Sequence, residues 1–169
     1  MKNVLFLCTG NSARGLLAEA LLAVKSKGCF QAYSAGIHPG TLINPFAAEL
    51  IQNLGYPIKN MRCKRWNEFS TEASMPLDYV ITLCRNTANM HHPAWPGNPI
   101  IGKWDIEDPT AVLGNIEDKR AVFRRAFDQL EKRIEQFISI PHHQTDRDLL
   151  LEKINFIGGF NGSSKPPSI

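Results

Sequence analysis

Residues 3 to 27 constrain the fold more than any other stretch. The apolar run Val4 to Leu7 ends on Cys8, the small and polar residues Thr9-Gly10-Asn11-Ser12 follow, and from Ala13 the sequence becomes rich in Ala and Leu. This reads as strand, loop, helix. A strand that feeds a helix through a tight Gly-containing loop turns successive backbone N–H groups into one concavity, and such a nest binds oxyanions. Arg14, six places after Cys8, can add a planar bidentate fork to the same anion. A thiol at that helix N-terminus has its thiolate favoured, and comparable cysteines fall from about 8.5 to roughly 3.5–7.5. Cys8 is therefore a candidate nucleophile toward a tetrahedral oxyanion held by Thr9, Gly10, Asn11, Ser12, Ala13 and Arg14. The alternative, a buried structural cysteine at a strand end, is outweighed by the whole context of strand, Cys, small loop, Arg and helix.

With 169 residues, 43% of them hydrophobic, the chain can bury one sizeable core. A net charge of +3 with scattered Lys and Arg argues against a nucleic-acid partner and suits a small anionic substrate. No stretch is long and apolar enough for a membrane span and no signal-peptide pattern opens the sequence, so a cytoplasmic location is expected. In that setting the four cysteines, Cys8, Cys29, Cys63 and Cys84, are expected to be reduced, and any disulfide to be catalytic. Zinc spacing is missing: no CxxC occurs, and His91-His92 and His142-His143 are adjacent pairs.

The stretch VLFLCTGNSAR resembles the phosphate-binding loop of the low-molecular-weight protein tyrosine phosphatase superfamily, which includes arsenate reductases built on that fold. The resemblance runs to about Ile140. It implies an α/β fold of three layers, a central four-stranded parallel sheet flanked by helices. Residues 1–140 would form the catalytic domain and 141–169 a C-terminal helix and flexible tail.

The order of elements agrees. A first helix from Ala13 to about Ser26 buries Leu16, Leu17, Ala20, Leu21 and Val24 and stops near Gly28. Phe30 to Ala35 reads as a second strand, and Asn44-Pro45 opens a helix reaching Leu54. Tyr56 to Pro76 reads as a surface loop with a short helix at Trp66 to Phe69. Leu77 to Leu83 fits a buried central strand and Pro99 to Trp104 a fourth. A long helix from about Asn115 carries Ala121, Phe123, Phe127, Leu130, Ile134 and Phe137 on its apolar face. Beyond Pro141, His142 and His143 read as exposed linker, Asp146 to Ile157 as a short helix and Gly158 to Ile169 as a mobile tail.

By resemblance, Asn11, Glu19 and Ser34 brace the phosphate loop. No cofactor is required, although some reductases of this group hold a potassium ion there and in others a lysine, here Lys64, takes its place. Asp108, the Asp of an Asp-Pro step after the sheet, matches the superfamily's general acid. Cys84 ends the strand that neighbours the one ending in Cys8, so both thiols lie at the carboxyl edge of the sheet, where open α/β folds bind ligands; a polar loop, Arg85 to Asn89, is expected to follow. Reductases have a second cysteine in such a Thr-x-Cys stretch, and tyrosine phosphatases need none.

The expected function is reduction of arsenate to arsenite. Cys8 forms a thio-arsenate adduct, Asp108 protonates the leaving oxygen, and Cys84 closes a Cys8–Cys84 disulfide for thioredoxin, or glutaredoxin with a small thiol, to reopen. Two features depart from the pattern. The third cysteine of thioredoxin-coupled relatives is missing at Met90-His91-His92, leaving Cys63 or Cys29 as substitutes, and Gly15 stands where the superfamily places Ser or Thr. The alternatives are a tyrosine phosphatase using Cys8, Arg14 and Asp108, and an oxyanion-binding protein of low activity.

Overall fold

The computed structural model describes residues 1–159. Strand β1 (Lys2–Cys8) lies inside a four-stranded parallel sheet of order β2-β1-β3-β4, beside β2 (Phe30–Gly36) and β3 (Tyr79–Thr82), with β4 (Ile100–Lys103) at the edge. Val4, Leu5, Phe6 and Leu7 are all fully buried because both faces of the sheet are covered. Alternation divides them: Val4 and Phe6 enter the larger core, whereas Leu5 and Leu7 pack with Ala35, Phe69, Val80 and Trp95 on the other face.

The larger core is closed by α1 (Arg14–Lys25), α2 (Pro45–Asn53), α4 (Ile116–Ser139) and α5 (Arg147–Ile157). Asn44 caps α2 through Phe46 N–H at 3.0 Å, with Pro45 in its first position. The second face is covered by the 3₁₀ turn Trp66–Phe69 and the segment holding Trp95. The expected elements are all present, with ends shifted by a residue or two.

Four sequence expectations change. Val24 is 40% exposed: α1 is buried nearly all round as far as Leu22 and emerges from the core in its last turn. Ala121 is exposed, because the buried stripe of α4 runs through Val122, Phe123, Ala126, Phe127, Leu130, Ile134 and Phe137. Arg85–Asn89, expected as a loop, forms the short helix α3, whose Thr87 and Ala88 turn inward. Only one turn long, it has no periodicity to read.

The fourth is His142, which is part of the packing rather than exposed linker. Its ring stands edge-on to Phe30, Tyr79 and Phe137 at centroid distances of 4.8–5.3 Å. Nε2–H donates to the Phe137 carbonyl at 2.8 Å, which fixes the neutral tautomer, so Nδ1 accepts from the Tyr79 hydroxyl at 2.7 Å. Burial pushes the His142 imidazole below its ordinary value, helped by the charges of Lys2 and His143 and opposed by the Phe137 carbonyl. Burial and Asp78 likewise push Tyr79 up to about 12.

A depressed histidine binds fewer protons folded than unfolded, so its contribution is full above about pH 6.5 and is lost as pH falls below that value. The urea midpoint of the native protein is therefore expected to drop between pH 7.5 and 5.5 more steeply than that of His142→Gln. Equal slopes would contradict this account.

Helix α5 belongs to the same core as residues 1–140. Leu150 and Ile154 are buried, the Trp104 indole N–H donates to the Ile154 carbonyl at 3.0 Å, and Asn155 Oδ1 accepts from the exposed-edge N–H of Lys103 at 2.8 Å. A Cβ on Gly158 would run into the Lys103 carbonyl and the Trp104 ring. The tail expected from Gly158 onward lies, from residue 160, outside the described residues. No helix among the described residues is long and apolar enough to cross a membrane.

Candidate active site

Where β1 ends, the chain turns through Thr9–Ala13 around the sulfur of Cys8. Asn11 takes the turn at φ +46°, a left-handed conformation that Asn tolerates, and its N–H lies 3.2 Å from Cys8 Sγ. The segment after β2 straps this loop from outside: Thr9, Gly10 and Ser12 carbonyls accept from His38, Gly40 and Asn44 N–H groups, each at 2.9 Å. With those carbonyls engaged outward, the Asn11 and Gly15 N–H groups face the Cys8 sulfur on the inside. The strap lies close because Gly36 has no side chain; a Cβ there would stand 2.8 Å from the Thr9 carbonyl.

The loop encloses a cavity of about 190 Å³ lined by Cys8, residues 9 to 13, Arg14, Asp108 and Thr110. This brings together every oxyanion-binding residue expected from the sequence. Arg14, 8% exposed, donates from Nη1 to the Ile106 carbonyl at 3.1 Å and pairs through Nη2 with Asp108 Oδ2 at 3.2 Å. The Asp108 carboxylate is oriented from its other side, where Oδ1 accepts from both the N–H (3.0 Å) and the hydroxyl (2.7 Å) of Thr110.

The residues expected to brace the loop are also brought together. The Ser34 hydroxyl donates to Glu19 Oε2, Lys64 Nζ reaches the same oxygen at 3.2 Å and the Arg62 carbonyl at 3.0 Å, and Lys64 N–H donates to Asn11 Oδ1 at 3.2 Å. Asn11 Nδ2 is buried without a hydrogen-bond partner among the described residues. Beside it lies Gly15, where a Cβ would sit 3.0 Å from that nitrogen and 3.1 Å from Cys8 Sγ.

All four cysteines are free. Cys8 departs from the expectation of a favoured thiolate: burial pushes its thiol up, and Arg14 with the Asn11 and Gly15 N–H groups opposes this only in part. Cys84 behaves in the opposite way. Burial alone would raise it, but the hydroxyl and N–H of Thr87, the hydroxyl of Thr9 and the charge of Arg14 together bring it below the ordinary value. Its sulfur lies 3.7 Å from Thr9 Oγ1, so it touches the residue next to Cys8. The cause is register: Leu7 is paired with Thr82, and Leu83 N–H donates to the Leu7 carbonyl at 2.8 Å.

The other two thiols are not brought to this site. Cys29 precedes β2 at the opposite edge of the sheet, a seven-residue strand of roughly 20 Å away. Cys63 is half-buried beside Lys64, on the brace. Among the described residues, no group of three or more His, Cys, Asp or Glu is arranged to hold a metal ion. Thr87 and Thr110 were not legible as site residues, since a lone Thr gives no signal until the fold sets its partner.

The family described as low molecular weight phosphotyrosine protein phosphatase matches residues 3–149. The chain belongs to this family. Among its curated phosphatase-family relatives, an arsenate reductase of Halalkalibacterium halodurans is 35% identical over 136 residues, which is 80% of this chain and 94% of that protein. A glutaredoxin arsenate reductase of Synechocystis is 27% identical over 139 residues, 82% of this chain and 98% of its own length. The phosphatase-family fold is matched by a solved arsenate reductase in the phosphate binding state, with a TM-score of 0.65 and 26% identity over 82% of this chain and 98% of that one.

Proposed function

We propose that the protein is an arsenate reductase. The observation that carries this reading is the second thiol: Cys84 is set against the phosphate loop at Thr9, with its thiolate favoured, in a place where a phosphate-ester hydrolase has no task for it. Its arsenate reductase relatives support the same activity.

In this reading the loop N–H groups and Arg14 hold arsenate over Cys8. The Cys8 sulfur forms a bond to arsenic as one arsenic–oxygen bond breaks, and Asp108, turned toward Arg14 by Thr110 and open to solvent, takes up a proton from water and passes it to the departing oxygen, which leaves as water. The Cys8 proton passes to an arsenate oxygen, which spares the buried thiol from ionising alone. Cys84 thiolate then attacks the Cys8 sulfur; the sulfur–arsenic electron pair goes to arsenic, arsenite leaves, and the two thiols become a disulfide. An external thiol reductant of the thioredoxin or glutaredoxin class restores them, because residues 85–92 carry no third cysteine.

No potassium ion is required in this reading. Lys64 already places a positive charge on Glu19 at the brace. Turnover is therefore expected to be equal in KCl and NaCl at the same ionic strength; severalfold stimulation by potassium would contradict the assignment.

Hydrolysis of phosphate monoesters is the second reading, favoured by the family description and by Asp108 over the cavity. A third, oxyanion binding with little turnover, draws on the unpaired Asn11 amide beside Gly15. Three measurements on one preparation separate them: arsenite formed from arsenate with a dithiol, aryl phosphate hydrolysis, and equilibrium binding of phosphate. Arsenite production with negligible aryl phosphate turnover supports the proposal, and the reverse overturns it. Binding without either reaction leaves the third reading.

A further inference from the structure

Cys84 is held by more than the end of its strand. Its sulfur lies 3.2 Å from the hydroxyl of Thr87, one turn along α3, and that hydroxyl also lies 3.0 Å from the Cys84 carbonyl and 3.4 Å from the Leu7 carbonyl. A hydroxyl has one proton and two lone pairs, so it donates to only one of these groups at a time. While Cys84 is a thiol, its S–H donates to Thr87 Oγ1 and the hydroxyl donates to a carbonyl. Once the thiol has lost its proton to water, the hydroxyl gains by rotating about its C–O bond to donate to the thiolate.

Thr87 is fully buried, so water has no easy access to take over this role. Its position is pinned from behind: the Thr87 carbonyl accepts from His92 Nε2–H at 2.7 Å, and the His92 ring stands edge-on to Trp66 and Trp95 at 6.4 and 6.2 Å. A five-residue helix on its own would fray; this one is fastened at its last turn.

We propose that Thr87 is a positioning residue for the second thiol, its hydroxyl turning from backbone carbonyl to sulfur as Cys84 becomes the attacking nucleophile. The assignment rests on the reductase reading of Cys84. The other groups acting on this sulfur are Arg14 and the Thr9 hydroxyl, which favour the thiolate, and the neighbouring Cys8. Arg85, the first residue of α3, is paired with Asp105 at 2.7 Å.

The test follows alkylation of Cys84 by iodoacetamide as a function of pH, resolved from Cys29 and Cys63 by peptide mass spectrometry, in a Cys8→Ser background. Thr87→Val and Thr87→Ala remove the hydroxyl, and Thr87→Ser keeps it. The hydroxyl-free variants are expected to raise the Cys84 midpoint by about one pH unit, with about tenfold slower alkylation at pH 7, and the serine variant to restore both. With Cys8 present, disulfide formation on arsenate addition should slow by a similar factor.

If a folded Thr87→Val or Thr87→Ala protein keeps the native midpoint, or the serine variant fails to restore it, the role of Thr87 is overturned while the reductase reading stands. If the native protein loses no thiol to arsenate, the reductase reading falls, and this assignment with it.

Discussion

Replacing Cys84 with serine is expected to lower arsenate turnover by about three orders of magnitude or more, the scale seen when one of two groups acting as a unit is removed. The first half of the reaction needs only Cys8, Arg14 and Asp108, so the variant should still bind arsenate and form the Cys8 adduct. The second half needs a thiolate against the Cys8 sulfur, and serine's hydroxyl stays protonated near pH 7. The adduct can then only hydrolyse back to arsenate. The sulfur of Cys84 meets the loop at the Thr9 hydroxyl, a contact that serine can also make, so phosphate affinity should barely change. Phosphate binding and arsenite release measured on the same variant separate loss of the thiol from damage to the loop; unchanged arsenite production would contradict the role of Cys84.

Arg14→Lys is expected to cost about 10²–10³ in kcat/KM for arsenate, with a matching weakening of phosphate as a competitive inhibitor. Arg14 is nine-tenths buried and uses one nitrogen on the Ile106 carbonyl and another on Asp108. A lysine ammonium cannot span both and still face an anion with a planar fork. Its loss would also leave Asp108 held by Thr110 only, so the pH profile should change shape as well as height. A lysine variant with near-native kcat/KM would overturn the fork.

Much of this site was legible because its parts are local. Cys8, the small loop and Arg14 lie within seven residues, and the ends of the strands leading to Cys8 and Cys84 follow from apolar runs that stop at polar ones. Asp108 came by resemblance, since an Asp-Pro step by itself is an ordinary turn. What the sequence left open depends on contacts between distant residues. Lys64 was given to the brace by resemblance alone, and its physical ground, the 3.2 Å approach to Glu19 forty-five positions away, came only with the fold. The favoured thiolate expected at Cys8 was not found there, since a helix N-terminus and an arginine are visible in sequence but the burial of Cys8 is not, and the two hydroxyls that act on Cys84 gave no signal either. His142 and α3 were missed for a similar reason, each being fixed by a few contacts rather than by any pattern along the chain.

The central claim is that Cys8 and Cys84 together carry two electrons to arsenic, and one measurement tests it most directly. Fully reduced protein is mixed with arsenate without added thiol, free thiols are counted against time, and disulfides are mapped by peptide mass spectrometry. The account predicts loss of two thiols per chain, a Cys8–Cys84 link and one equivalent of arsenite. Survival of all four thiols with no arsenite formed, or a disulfide that joins other cysteines, would contradict it.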